Sequence, residues 1–338
     1  MPPSNHLQSG IRLPYGTYPA PLTVMNARRL TFLLLAGAFC LLCGAGIAAG
    51  KDRTPDLPGL LRQNGYRAIP LQYVRNKGFT LPAKVNGKPA LLAVSIASPL
   101  SVIFRDADST FGIREKKSGH HLNSTLGPSQ EEYGLASGNS IDLANMVMPA
   151  TTFAVIDRFN TAAAKWGELT GILGEAELYR LAAILDFGNA RLYLRPAGRD
   201  AAVSGLLAEN LAAHGFSSVP MRINSVHHFE VPYRVNSYQS VITIEPMNTV
   251  TSISSRTATA GRVPLVPSTQ MLNGVGGVRR SSKDGQVARL VIGSFVIPNA
   301  KVVVSDANFD VLGLDQLGKC SSLIDLGAKK LYLHGRPL

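Results

Sequence analysis

Asp186 and Asp325 stand at the same register in two similar stretches, GILGEAELYRLAAILDFGNARLYL at 171–194 and VLGLDQLGKCSSLIDLGAKKLYL at 311–333. A recurring pair of carboxylates could do acid–base chemistry. Two such groups held close share a proton, and their pKa values separate into one acid and one base. Each aspartate here sits two residues before a glycine, Gly188 or Gly327, as in a hairpin turn. The adjacent histidines His120-His121 and His227-His228 have no third ligand at metal spacing. Neighbours on a strand point to opposite faces, so these pairs read as surface or turn histidines and no metal site is expected. No nucleophile elbow, phosphate loop or dinucleotide fingerprint is present, so no cofactor is expected.

The two stretches belong to a duplication. A shift of 139 residues places Leu173 on Leu312, Gly174 on Gly313, Leu178 on Leu317 and Tyr193 on Tyr332. Upstream, KVNGKPALLAVSIASPLSVI at 84–103 matches RVNSYQSVITIEPMNTVTSI at 234–253 with a shift of 150. Val85 falls on Val235, Asn86 on Asn236, Ser101 on Thr251 and Ile103 on Ile253. Gly127, Pro149 and Asp157 fall on Gly276, Pro298 and Asp306 at 149, so the first copy carries about ten extra residues near 158–170. Two copies make a duplicated globular protein, not a solenoid.

Each copy resembles a retropepsin-type aspartic protease domain. Ile172-Leu173-Gly174 and Val311-Leu312-Gly313 match that family's hydrophobic-hydrophobic-Gly motif, and the following LDFGNARLYL and IDLGAKKLYL resemble its closing hairpin. The resemblance covers roughly 70–196 and 219–335. It implies an all-β chain of two β-barrel lobes with short helices, related by a pseudo-twofold axis, with a cleft between them. It also implies flap hairpins, with Gly127 in the first and Gly276-Gly277 in the second. In resembling proteins a polar residue stands beside the closing turn, so Asp186 and Asp325 are read as structural.

At the family's catalytic Asp-Thr-Gly the chain departs from the pattern. Ser95, Ile96 and Ala97 take those places in the first copy, and Glu245, Pro246 and Met247 in the second. The family reaction needs two carboxylates holding one water. Ser95 has none, so no catalytic residue is expected, and Ile96, Ala97, Pro246 and Met247 are expected to line a cleft without a dyad. The leading expectation is a peptide- or protein-binding pseudoprotease. One alternative is a weak peptidase using Glu245; another is a structural envelope domain with a closed cleft.

Residues 1–49 read as a leader. Arg28-Arg29, an apolar run from Thr31 to Ile47 and Ala48-Ala49 make an export signal, with Met25 as an alternative start. Read instead as uncleaved, residues 30–49 would anchor the protein to a membrane. The expected location is the periplasm or the extracellular space. The expected layout is lobe 1 at 66–196, a linker at 197–218 with a helix over 201–213, and lobe 2 at 219–338. Cys40 and Cys43 lie inside the leader, leaving Cys320, which matches Leu181 and reads as a core thiol without a disulfide partner.

The formal charge is +12, and removing the three arginines of residues 1–49 leaves +9. The basic residues are scattered without aromatic interleaving, which argues against a nucleic-acid site. The expected partner is an extended peptide or an envelope protein. A duplicated chain builds its cleft alone, so a monomer is expected.

Overall fold

The computed structural model describes residues 56–74, 78–124, 126–158, 168–274 and 278–334. The expected leader and anchor at 1–49, the flap glycines Gly276 and Gly277, and Trp166 of the first-copy insertion lie outside the described residues. Arg53–Leu338 forms one compact unit.

The described chain is mostly β-strand, arranged as two similar eight-stranded sheets and a six-stranded sheet. Strand formation follows from alternation. In Gly78–Val85 the side chains of Leu81, Ala83 and Val85 are buried while Pro82 and Lys84 are exposed. Asn86 and Gly87, both at positive φ, turn this strand back into Lys88–Val94, as a tight hairpin requires. The turn Asn recurs for a reason. The Asn86 amide donates to Phe111 O at 3.0 Å and accepts from Ser140 N at 2.9 Å. Asn236 repeats this with Gly261 O at 2.7 Å and Arg289 N at 3.2 Å.

The first sheet runs Gln72–Val74, Gly78–Val85, Lys88–Val94, Gly171–Leu173, Ser101–Phe104, Met146–Ile156, Gly127–Leu143, Lys116–Ser124. It curls into a barrel because Gly78–Val85 also pairs with Gly127–Leu143. The second copy follows the same order, from Arg222–Ile223 at one edge to Leu265–Asn273 at the other, and closes through Phe229–Val235 and Arg279–Ile292. The short strand of each hydrophobic-hydrophobic-Gly motif lies parallel to the strand that leads into the site, with Val94 beside Leu173 and Ile244 beside Leu312.

The six-stranded sheet joins the copies. Its order is Arg67–Pro70, Arg191–Leu194, Ile184–Asp186, Leu323–Asp325, Lys330–His334, Phe216–Pro220. At its centre Leu185 pairs with Ile324, its own counterpart, and Ile184 pairs with Asp325. A residue opposite its own copy in an antiparallel pair marks a local twofold axis. One face, with Leu185, Leu192 and Ile324, joins the core shared with both barrels. The other, with Ile184, Tyr193, Leu323 and Tyr332, is covered by the helices Leu57–Gln63 and Ala201–Ala213.

Those helices extend the duplication beyond the expected lobe limits. Each is N-capped by an aspartate, Asp56 or Asp200, and followed by a left-handed glycine, Gly65 at φ 81° or Gly215 at φ 82°. Each then runs into an edge strand of the six-stranded sheet. Leu57, Leu61, Gly65 and Pro70 match Leu207, Leu211, Gly215 and Pro220 at a shift of 150. The segment expected to link the lobes therefore holds the first helix of the second copy and the start of its edge strand.

Candidate functional site

The strands ending at Val94 and Ile244 bring Ser95 and Glu245 to the seam between the copies. Ser95 N donates to Leu173 O at 3.1 Å and Glu245 N to Leu312 O at 3.2 Å, so both loops are fixed by the short strand just before the motif glycine. The glycines are steric requirements. A Cβ on Gly174 would lie 2.4 Å from Leu100 C and O, and one on Gly313 would lie 2.4 Å from Val250 O. The hydroxyls at Ser101 and Thr251 recur because each receives the N–H of its motif glycine, Gly174 or Gly313, at 3.0 Å. Each hydroxyl donates in turn to a carboxylate, Glu177 or Asp315.

Ser95 Oγ donates to Glu245 Oε2 at 2.9 Å, and Ala97 N donates to the same oxygen at 3.0 Å. Met247 N donates to Oε1 at 2.7 Å. Ser95 Oγ accepts in turn from Ala97 N at 3.2 Å and Ser98 N at 3.1 Å. Ser95 is 3% and Glu245 5% exposed. Burial pushes the Glu245 carboxyl up to about 7, against the opposing pull of the Met247, Ser95 and Ala97 donors. No second carboxylate shares a hydrogen bond with it among the described residues. The arrangement gives a single acid whose two oxygens are already engaged, not a dyad around a water.

Ile96 and Pro246 are buried, Ala97 and Met247 half-buried, and Met247 packs on the apolar cluster around Ala93, Val102 and Phe104 of the first copy. A Cβ on Gly78 would lie 3.0 Å from Pro246 O. At the matching place, shifted by 150, the second copy has His228, whose ring lies beside the Ala97 backbone. Burial, and then the neighbouring His227, holds the His228 imidazole below its usual range. Its Nδ1 is buried without a partner, and its ring meets Phe309 edge-on at 5.7 Å. His228 is therefore a seam residue, not the surface or turn histidine the sequence suggested. The signal in the sequence was its alignment with a glycine.

The hairpins expected as flaps are Lys116–Ser124 with Gly127–Leu143, and Leu265–Asn273 with Arg279–Ile292. Gly127, at φ 129°, faces the other copy: a Cβ there would lie 3.3 Å from Arg280 Nη2. Asp186 accepts from Asn189 N at 3.0 Å and from the Asn189 amide at 2.8 Å. Asp325 accepts from Ala328 N at 2.9 Å. Both carboxylates thus brace their own turns, and no hydrogen bond joins them among the described residues. Cys320 is buried at the end of the helix Leu314–Lys319, and burial pushes its thiol up to about 12.

No family model matches the chain, and neither does any curated protein. Among solved structures it is similar to an aspartic proteinase from Irpex lacteus, with a TM-score of 0.47 and 14% identity over 80% of this chain and 97% of that one. It is similar as well to conglutin gamma, a basic 7S globulin from lupine seeds (TM-score 0.48, 12% identity, 81% and 95% covered). Basic 7S globulin from soybean gives 0.48 and 11%, with 81% and 96% covered.

Proposed function

We propose that the chain is an exported, catalytically degenerate aspartic-protease-like protein that binds an extended polypeptide. The observation that carries the loss of catalysis is the hydrogen bond between Ser95 and Glu245. The two positions that match the family's aspartates meet, as a dyad would, but one is a hydroxyl and the other a carboxylate engaged by three donors. Removing one member of a catalytic unit commonly lowers the rate by a factor on the order of 10⁴–10⁶. Binding by strand addition needs backbone groups and no dyad. It is supported by the two hairpins, whose outer strands Lys116–Ser124 and Leu265–Asn273 end their sheets. Leu265, Val266 and Met271 on the second of these are exposed. Export rests on the charged and apolar pattern of residues 28–49.

A second reading, a structural envelope domain with a closed seam, is favoured by the burial of Ile96, Pro246 and Glu245. A peptide library presented to the full-length protein from acidic to neutral pH separates the possibilities, with Glu245→Gln as control. The expected result is no cleavage and a retained subset of peptides, held equally by the variant. Cleavage that disappears in the variant would overturn the degenerate reading in favour of a peptidase built on Glu245. Neither cleavage nor retention would leave the structural reading.

A further inference from the structure

The two hairpins are one element built twice, and they differ in charge. In the first, the outer strand Lys116–Ser124 exposes Lys116, Lys117, His120 and His121, and its partner strand carries Glu131 and Glu132. His121 stands directly opposite Glu132, whose carboxylate also accepts from Gly119 N at 2.9 Å. The basic strand thus meets acids within its own ladder. In the second hairpin the pairs Lys117–Gly134 and His121–Glu132 are replaced by Pro267–Lys283 and Met271–Ser281, at shifts of 150 and 149. The outer strand Leu265–Asn273 has no charged residue, while its partner opens with Arg279, Arg280 and Lys283 against a single acid, Asp284. Among the described residues the salt bridges use Arg105, Arg158, Arg195 and Arg222, and none uses Arg279, Arg280 or Lys283.

The register sorts these groups by face. Arg279, Ser281 and Lys283 are exposed, while Arg280, Ser282 and Asp284 between them are half-buried or buried. Residues directly opposite in an antiparallel ladder share a face. Arg279 is opposite Asn273, Ser281 opposite Met271, Lys283 opposite Pro267 and Gly285 opposite Leu265. The register shift between Pro267 and Met271 leaves both opposite the exposed row. One face of the hairpin therefore sets the apolar Leu265, Pro267 and Met271 beside Arg279 and Lys283, with no acid among them. Asp284 lies on the other face, opposite Val266. Nine large apolar side chains are exposed among the described residues, and three of them, Leu265, Val266 and Met271, belong to this one strand. Clustered apolar surface beside uncompensated cations marks an interaction surface. A second copy of the chain would set one basic row against another, and residues 50–338 already carry a net +9, so like charge opposes self-pairing.

We propose that this face docks an acidic, partly apolar extended polypeptide. Its carboxylates meet Arg279 and Lys283, about 13 Å apart along a strand, and its apolar side chains cover Leu265, Pro267 and Met271. The proposal rests on the polypeptide reading above and names the partner's chemistry. The probe is a labelled nine-residue peptide with Val at both ends and the centre, Glu third and seventh, and Ser elsewhere. Two further peptides carry Gln or Lys in place of both Glu. Fluorescence anisotropy with the full-length protein compares wild type, Arg279→Gln/Lys283→Gln and Leu265→Ser/Met271→Ser; all four side chains are exposed, and thermal midpoints report that the variants fold. The Glu peptide is expected to bind most tightly. It should lose about five- to tenfold in the first variant and about threefold or more in the second. The Gln or Lys peptide binding as tightly would overturn the choice of an acidic partner. Self-association of wild type that the second variant abolishes would overturn it in favour of a second copy. If the peptide library is retained while neither variant loses affinity for the Glu peptide, the docking face is wrong and the polypeptide reading stands. If wild type retains no peptide of any kind, both fall.

Discussion

At Glu245 the sequence could reveal a substitution but not its consequence. A carboxylate one methylene longer than aspartate reaches across the seam, and Ser95 answers it with a hydroxyl. The folded carboxyl sits at about 7, above the usual carboxylate range. A folded chain that keeps a proton which the unfolded chain has released loses stability as pH rises. The Glu245 contribution is thus fully present below about pH 4.5, is lost as pH rises towards about 7, and amounts to at most about 3 kcal/mol. Urea midpoints from pH 5 to 8 should fall more steeply for wild type than for Glu245→Gln; parallel lines would refute this. Glu175, also pushed to about 7 by burial, adds a slope of the same sign in both proteins. Ser95→Ala should cost about 1–2 kcal/mol, because it removes one donor from a buried carboxylate and an acceptor from two backbone N–H groups. The donor favours the charged form, so the cost should be larger at pH 8 than at pH 5. An equal or reversed difference would mean that the Ser95 bond does not stabilise the ionised acid. Ala97 and Met247 were legible as neighbours of the aligned Ser95 and Glu245; His228 was not, because it reaches the site only through a contact between the copies.

Glycine separates what the elements reveal from what they hide. Gly174 and Gly313 were legible as motif residues because a backbone segment crosses where their Cβ would sit, and only one residue type answers that demand. Gly313→Ala should therefore destabilise the protein by about 3 kcal/mol, the upper end of overpacking costs. Gly205 looks similar in the sequence but lies exposed in the helix Ala201–Ala213, with nothing near its missing Cβ. Gly205→Ala should stabilise by about 0.5–1 kcal/mol through helix propensity and a less flexible unfolded chain. Chemical denaturation of the two variants should move in opposite directions, and a shift of the same sign in both would defeat the steric account. The helix over 201–213 was legible, but its relation to the helix Leu57–Gln63 as a second copy escaped the sequence because few residues of either are buried. Leu61 and Leu211 face the sheet, while Arg62 and Ala212 face outward and were free to diverge. The recurring Leu, Gly and Pro positions were too sparse to outweigh that divergence, so the segment resembled a linker.

On the scale of the whole molecule, the two copies are held together by a sheet that neither copy completes alone. Ile184–Asp186 from one and Leu323–Asp325 from the other form its two central strands, and one apolar core runs from the first barrel through Leu185, Leu192 and Ile324 to the second. The duplication was legible from residue order, at repeat shifts of 139 to 150, and the all-β class and twofold relation from the resemblance of each copy. The pairing of Leu185 with its own counterpart was not, since register across the axis is decided by packing between segments 139 residues apart in the chain. The consequence is energetic coupling. Opening either barrel exposes the shared core, and splitting the central pair removes ladder hydrogen bonds from both copies. The lobes should therefore unfold in one transition, with calorimetric and van't Hoff enthalpies in agreement. Leu185→Ala, at a fully buried position on the axis, should cost about 2–5 kcal/mol and lower the stability of both lobes together. Hydrogen exchange would report this as an equal loss of protection in Phe229–Val235 and in Gly78–Val85. Loss confined to the first copy, or two separate calorimetric peaks, would show that the lobes are independent folding units joined by a passive sheet.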